Sequence, residues 1–302
     1  INKYRFLYKY VTIKYHSLDK KMYLVIYIKK YMKYTVLGSK GFIGKEFIKY
    51  LEKKGHECFT PEIRKESLKG IDLGHVIYSA GVPNFMQRPY DAVDAHVCQL
   101  KNILENSNFE SLVYFSGGRV YNKINSTKEN NDLIFNPTDK DDLYGISKIM
   151  GESLCIASEN PRVHIVRLTN VTGNNFTSNL FLPSIIRDAI IENKIKIRTT
   201  LSSKKDYVYI DDVLDLIPKI LINGKNKIYN IASGKNIESE KLINKISEIT
   251  GCSVEVSSDA KEYSYPETSI TKIKEEFNFN PTNVLDKIED MIKEFKIFLK
   301  NK

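Results

Sequence analysis

Two periods alternate in the apolar and polar positions of this chain from residue 33 onward. Short, almost continuously apolar runs fall at 34–37, 57–60, 75–79, 111–116, 162–167 and 227–231. Each is of strand length and too short for a helix. Between and after them, apolar residues recur at helical spacing over 45–54, 90–106, 144–158, 182–193, 210–222, 239–250 and 283–300. The last segment carries Leu285, Ile288, Met291, Ile292, Phe295 and Leu299 on one stripe, the pattern of a helix packed on a core. Apolar strands separated by helices predict an α/β fold, a doubly wound parallel sheet covered on both faces. Twelve residues separate Glu62 from His75, too few for a helix and a strand. The third strand of such a sheet is therefore expected to be truncated or missing.

Composition changes this picture at one end. Residues 1–31 contain no Gly, Ala or Pro, and eight basic residues there face the single acid Asp19. That segment carries +7 of the chain's net +9, which leaves +2 for residues 32–302. The basic balance is thus no signal for a nucleic-acid or membrane partner of the folded part. The apolar run 22–28 is too short to span a bilayer, and no small-residue cleavage site follows it. Residues 1–31 are expected to be a non-native or disordered extension ahead of a start at Met32, with a basic surface-binding arm as the alternative. Cys58, Cys98, Cys155 and Cys252 show no C-x-x-C spacing, and His56, His75, His96 and His164 share no ligand spacing. No metal site is expected, and the thiols read as reduced, in a cytoplasmic protein.

The chemistry begins in MKYTVLGSKGFIG, where an apolar strand runs into Gly38, Gly41 and Gly44. Glycines at that place let the backbone turn tightly and come close to a pyrophosphate. The helix from Phe42 and Ile43 onward aims its N-terminal N–H groups at the phosphates. The spacing is G-x-x-G-x-x-G, one residue longer in its first interval than G-x-G-x-x-G. A dinucleotide is the ligand this pattern fits.

A second signal is Tyr144 with Lys148. Four residues apart on a helix, they share a face, and an ammonium beside a phenol favours the phenolate that can take a proton. Tyr10/Lys14 and Tyr50/Lys54 have the same spacing, so the pair is singled out by context. It lies about a hundred residues beyond the glycine loop and downstream of LVYFSGGRVY, where an apolar strand ends in a serine.

Together these motifs resemble the extended short-chain dehydrogenases/reductases of the NAD-dependent epimerase/dehydratase type, which act mostly on nucleotide-activated sugars. The resemblance covers Met32 to about Pro281. Besides GSKGFIG and YGISK it includes VIYSAG, VRLTNVTG, KDYVYIDDV, YNIASG and FNFNP. It implies a Rossmann-type sheet formed by 32–170 plus 206–232, and a smaller C-terminal substrate lobe formed by 171–205 plus 233–302. It implies Tyr144 as acid/base and Lys148 as its partner and ribose ligand. The cofactor would lie against Gly38, Gly41, Phe42, Ile43, Gly44, Ala80, Gly81 and Leu168. Glu62 stands where the family holds the adenosine ribose, which favours NAD, while Arg64 two residues on keeps NADP open. Asn170 and Asn179 match sugar or diphosphate positions, and Lys205 replaces the usual diphosphate-binding arginine. The helices 90–106 and 144–158 match those through which family members form homodimers.

Departures matter as well. The catalytic Ser/Thr of the family corresponds to Gly117 here, with Ser116 one place earlier. Either Ser116 assists, or the substrate hydroxyl meets the phenol directly. Gly118 and Arg119 occupy the places of the Asp-Glu pair of dehydratases, which argues against dehydration. Asp211 and Asp212 read as charges at a helix start. The expectation is a nucleotide-sugar epimerase or 4-keto reductase working at C4, with a non-catalytic dinucleotide sensor on the same fold as the alternative.

Overall fold

In this computed structural model the described residues are 8–18, 21–82 and 85–301. Strands β1 (Tyr8–Leu18) and β2 (Lys21–Lys30) form an antiparallel hairpin, which pairs with no other strand among the described residues. Residues 1–7, 19 and 20 of the expected extension lie outside the described residues.

From there the chain runs β3 (Lys33–Leu37), α1 (Phe42–Lys53), β4 (Glu57–Phe59) and β5 (His75–Tyr78). A long helical stretch follows, made of α2 (Pro89–Val93), a π-turn (Asp94–Cys98) and α3 (Gln99–Asn106). Next come β6 (Ser111–Gly117), α4 (Leu143–Ala157), β7 (Val163–Leu168), β8 (Asn170–Thr172) and α5 (Phe181–Ile191). They are followed by β9 (Lys194–Thr199), β10 (Lys204–Tyr209), α6 (Ile210–Asn223), β11 (Ile228–Ile231) and β12 (Asn236–Glu238). The chain closes with α7 (Ser239–Thr250), β13 (Ser253–Lys261), α8 (Thr271–Phe277) and α9 (Ile288–Lys300).

Six strands form one parallel sheet in the order β11-β7-β6-β5-β3-β4. The three-residue β4 is its edge, and residues 60–74 contribute no strand to it, as the short spacing predicts. The chain leaves β3 toward β4 and then crosses back to β5, so the strand order reverses between β3 and β5. Ligands of open α/β sheets bind at such a reversal, beyond the C-terminal strand ends.

Side chains alternate between the faces of the sheet. Tyr34, Val36, Ile77, Val113, Phe115 and Val166 pack into the larger core with Phe47 and Leu51 of α1 and with Val213, Ile217 and Ile220 of α6. Leu37, Val76, Tyr78, Leu112, Tyr114 and Ile165 face the other way, onto Leu100 and Ile103 of α3 and Cys155 of α4. With both faces covered, the continuous apolar runs of the sequence are explained. Two small sheets lie outside this layer. β10 pairs in parallel with β8 and antiparallel with β12, and β9 pairs in parallel with β13. Of these, β8 and β12 have three residues each and β13 is exposed along most of its length, so periodicity does not reveal them, whereas the six-residue β9 alternates apolar and polar positions and the six-residue β10 ends in a buried run.

A buried polar network ties α4 to the sheet. Glu152 and Arg167 form an ion pair whose side chains are 3% and 4% exposed, with Nη2 2.7 Å from Oε2. Ser116 donates to Glu152, Arg167 donates to the Tyr121 hydroxyl, and Tyr121 donates to Asn230 of β11. Replacing Glu152 by Leu leaves a guanidinium buried without its counter-charge. The expected cost is about 3–5 kcal/mol in denaturant unfolding, and adding Arg167→Met should recover most of it.

Candidate active site

Beyond the C-terminal ends of β3, β5, β6 and β7 opens a cleft of about 940 Å³, closed on the far side by the 175–180 segment, Lys205, Asn236 and Tyr265. Its floor is the glycine loop. Gly38 has φ +96°, and a Cβ there would lie 2.7 Å from the Ala80 nitrogen. A Cβ on Gly44 would lie 2.3 Å from the Gly38 carbonyl oxygen. Bare backbone at both places brings β3, the Ser79–Gly81 turn and the start of α1 into contact. Helix α1 begins at Gly41 with no side-chain cap and no acid in its first turn. Its free N–H groups and dipole therefore face the cleft, the arrangement that holds phosphate oxygens.

The residues expected from sequence to form the site converge here with one exception. Gly38, Gly41, Phe42, Ile43, Gly44, Ala80, Gly81 and Leu168 line the cleft, as do Ser116, Gly117, Tyr144, Lys148, Asn170, Asn179 and Lys205. Glu62 is not among the lining residues. It stands on the surface between Lys40 and Lys65, whose hydrogen bonds and charges hold its carboxyl down to about 2. Arg64 is turned toward Asp94, 3.4 Å away.

Tyr144 is the second residue of α4, and Lys148 follows one turn later on the same face. The Lys148 ammonium sits 5.9 Å from the Tyr144 ring centroid and donates to the Phe115 carbonyl at 2.7 Å. Burial pulls it down to about 7, against the opposing charge of Glu152. Burial raises the Tyr144 phenol, and the Arg119 guanidinium draws it back down. Two cations thus flank the phenol ring, Lys148 and Arg119. The Arg119 guanidinium lies 5.6 Å from the Tyr144 ring centroid and 5.2 Å from that of Phe85.

Ser116 lines the cleft, but its hydroxyl donates to Glu152 at 2.5 Å and so is committed to the buried network. The Tyr144 hydroxyl packs close against Gly117, where a Cβ would lie 3.2 Å from it. Asn170 donates to the Asp206 carbonyl at 2.8 Å, and exposed Asn179 lies near Arg187. Asp206 is the only carboxylate among the described lining residues, and Thr169 and the Ser233 and Gly234 amides occupy it. The free charge of the cleft is therefore positive, from Arg119, Lys148 and Lys205.

His96, read from sequence as structural, belongs to this site as well. It sits in the π-turn, fully buried, edge-on to the Tyr144 ring at 5.5 Å. Its Nδ1 pairs with the Ser147 hydroxyl, which donates to the Tyr144 carbonyl. Burial and the nearby Lys148 hold it down to about 2, so it is a neutral brace for the start of α4. Phe85, His96 and Tyr265 have no local signature, because each reaches the cleft from a separate segment, whereas Arg119 lies within LVYFSGGRVY.

The chain belongs to the NAD dependent epimerase/dehydratase family, whose model matches residues 34–232. By its name that family comprises NAD-dependent epimerases and dehydratases. A dTDP-4-dehydro-6-deoxyglucose reductase of Escherichia coli is 32% identical over 165 residues, 51% of this chain. The match spans half the length of that relative. Among solved structures, the chain is similar to a UDP-glucuronic acid 4-epimerase from Bacillus cereus in complex with UDP-glucuronic acid and NAD. The TM-score is 0.72 at 19% identity, covering 87% of this chain and 100% of that one. It is also similar to RMD from Pseudomonas aeruginosa complexed with NADPH, with a TM-score of 0.70 at 20% identity over 87% and 98% of the two chains. These likenesses fix the Rossmann-type fold. No helix among the described residues is long and apolar enough to cross a membrane.

The lowered Lys148 ammonium has a measurable consequence. The unfolded chain binds this proton up to its ordinary range near 10.5, whereas the folded chain releases it around 7. Between these values the unfolded state holds more protons, so stability rises with pH. For one proton the slope reaches at most about 1.4 kcal/mol per pH unit. Denaturant unfolding from pH 7 to 10 should show this rise, and Lys148→Met should remove it.

Proposed function

We propose that this protein is an NAD(P)-dependent oxidoreductase acting at C4 of a nucleotide-activated sugar, as a 4-keto reductase. The observation that carries the reading is the placement of Tyr144 and Lys148 at the mouth of β6, facing a glycine-lined cleft with free positive charge. The match to the Escherichia coli reductase favours ketoreduction. C4 epimerization by the same residues is the second reading, supported by the same Tyr144/Lys148 pair. Arg119 stands where dehydratases place an acid, which speaks against elimination.

The residues fit a dinucleotide. Gly38 and Gly44 provide the close backbone approach, and the start of α1 provides the phosphate donors. Lys148 would hold the ribose hydroxyls on the nicotinamide side. Glu62 would face the adenosine ribose, with Lys40 and Lys65 beside it and NADP accordingly left open. A bound reduced nicotinamide would supply the hydride that converts the C4 carbonyl to a carbinol. Tyr144 gives its proton to the carbonyl oxygen, becomes a phenolate and is reprotonated from solvent. Lys205, with Asn170 and Asn179, would hold the diphosphate and sugar, although a lysine lacks the bidentate fork of an arginine. Tyr90, Met150 and Ile156, exposed on the helices expected to pair, support a homodimer.

Two measurements test the reading. Nucleotide released on denaturing the protein is identified by absorbance and mass: stoichiometric NAD favours epimerization, while a site that takes up NADPH from solution favours ketoreduction. Turnover of dTDP-4-dehydro-6-deoxyglucose is then followed as loss of reduced-nicotinamide absorbance. Tyr144→Phe should lower kcat by at least about 10²-fold while cofactor affinity is kept. A chain that binds the cofactor but turns over no sugar nucleotide, with Tyr144→Phe indistinguishable from wild type, would instead be the dinucleotide sensor.

A further inference from the structure

The side chain of Arg119 is an exposed cation in the cleft with no hydrogen bond or ion pair among the described residues. The rings of Phe85 and Tyr144 hold it, at 5.2 Å and 5.6 Å. Of the alternatives near the phenol, neutral His96 leaves its Nε2 unpartnered, and the charged or hydroxyl-bearing ones are engaged elsewhere. Ser116 donates to Glu152, Lys148 to the Phe115 carbonyl, and Arg167 is bound up with Glu152 and Tyr121. Residue 117 has no side chain to offer. A reacting oxygen at the Tyr144 hydroxyl would thus find no side-chain hydroxyl from 117, and the Arg119 fork lies over the same ring.

We propose that Arg119 is a catalytic residue of this site, its guanidinium stabilising the negative charge that Tyr144 and the reacting sugar oxygen share during proton transfer, in place of the missing hydroxyl at 117. The inference rests on the redox reading of the cleft. Chemically, a guanidinium suits the task. It is charged at every working pH and presents five donors in a planar fork. A donor preset at a place where negative charge develops needs no reorganisation during the reaction. The same charge lowers Tyr144, Tyr265 and Lys205, so its field reaches across the cleft. The other groups facing the phenol are Lys148 on α4, neutral His96 from the π-turn, Tyr114 on β6, and Lys205 and Tyr265 on the far wall.

The first test needs no substrate. The Tyr144 phenolate is titrated by ultraviolet difference, each chain against its own Tyr144→Phe version. Arg119→Gln should move this titration to higher pH, and Arg119→Lys should return it toward wild type. An unmoved titration in Arg119→Gln overturns the proposal. The second test uses dTDP-4-dehydro-6-deoxyglucose and NADPH. Arg119→Gln should lower kcat by about 10²-fold while affinity for dTDP stays the same. If affinity for dTDP falls while kcat is kept, Arg119 is a phosphate ligand and the proposal fails. A wild-type chain inert toward sugar nucleotides would instead defeat the redox reading, and that result is separate from the phenolate titration.

Discussion

The Glu152–Arg167 ion pair is the constraint on which the site depends. It joins helix α4 to strand β7 in the buried interior, and through Ser116, Tyr121 and Asn230 it reaches β6, the turn after β6 and β11. A buried charge pair is costly to desolvate and tolerates little misplacement, because each remaining donor and acceptor must also be met. Here they are met from four directions. The result is a fixed height and rotation of α4 against the end of β6, and hence of Tyr144 and Lys148 over the cleft. Spending Ser116 on this network removes the one hydroxyl the sequence offers near the phenol. Rigidity and hydroxyl assistance compete for the same side chain, and rigidity wins.

The electrostatics of the cleft follow from that choice. Asp206, the lone lining carboxylate among the described residues, is consumed in holding the 233–234 turn onto β10. Arg119, Lys148 and Lys205 form no ion pair among the described residues, though Arg119 feels Asp142 and Lys148 feels Glu152. Three cations beside an uncapped helix N-terminus make a site for anions, and their mutual repulsion is relieved when negative charge arrives. Lys148 feels the cost most, since it is buried and its nearest carboxylate, Glu152, already belongs to Arg167. His96, held neutral, adds shape without adding a further charge.

Much of this was legible in the residues alone. The continuous apolar strands and amphipathic helices specified a doubly wound sheet, because their periods depend only on backbone geometry. The short 62–75 interval specified the lost strand for the same reason. Gly38 and Gly44 were readable because glycine at a strand–helix turn has a steric meaning, and Tyr144/Lys148 because an i, i+4 pair shares a helix face. The sheet β8-β10-β12 and the pair β9-β13 were not read from the residues: β8 and β12 have three residues each and β13 is mostly exposed, while β9 and β10 join them only through partners distant in sequence.

What only the tertiary structure decided was how side chains from distant segments are shared out. Sequence placed Ser116 next to the reacting position, but the fold brings Glu152 within reach, and the charged acceptor takes the hydroxyl. Sequence paired Lys148 with Tyr144, and the fold keeps the ammonium beside that ring while tying it to the Phe115 carbonyl and adding Arg119 from another segment. Sequence located Glu62 at the end of a strand, and the fold surrounds it with Lys40 and Lys65. Local patterns fix elements because hydrogen bonding and side-chain period act over a few residues. Hydrogen-bond partners and local fields depend on which groups meet across the core, and that is set only when the sheet has closed.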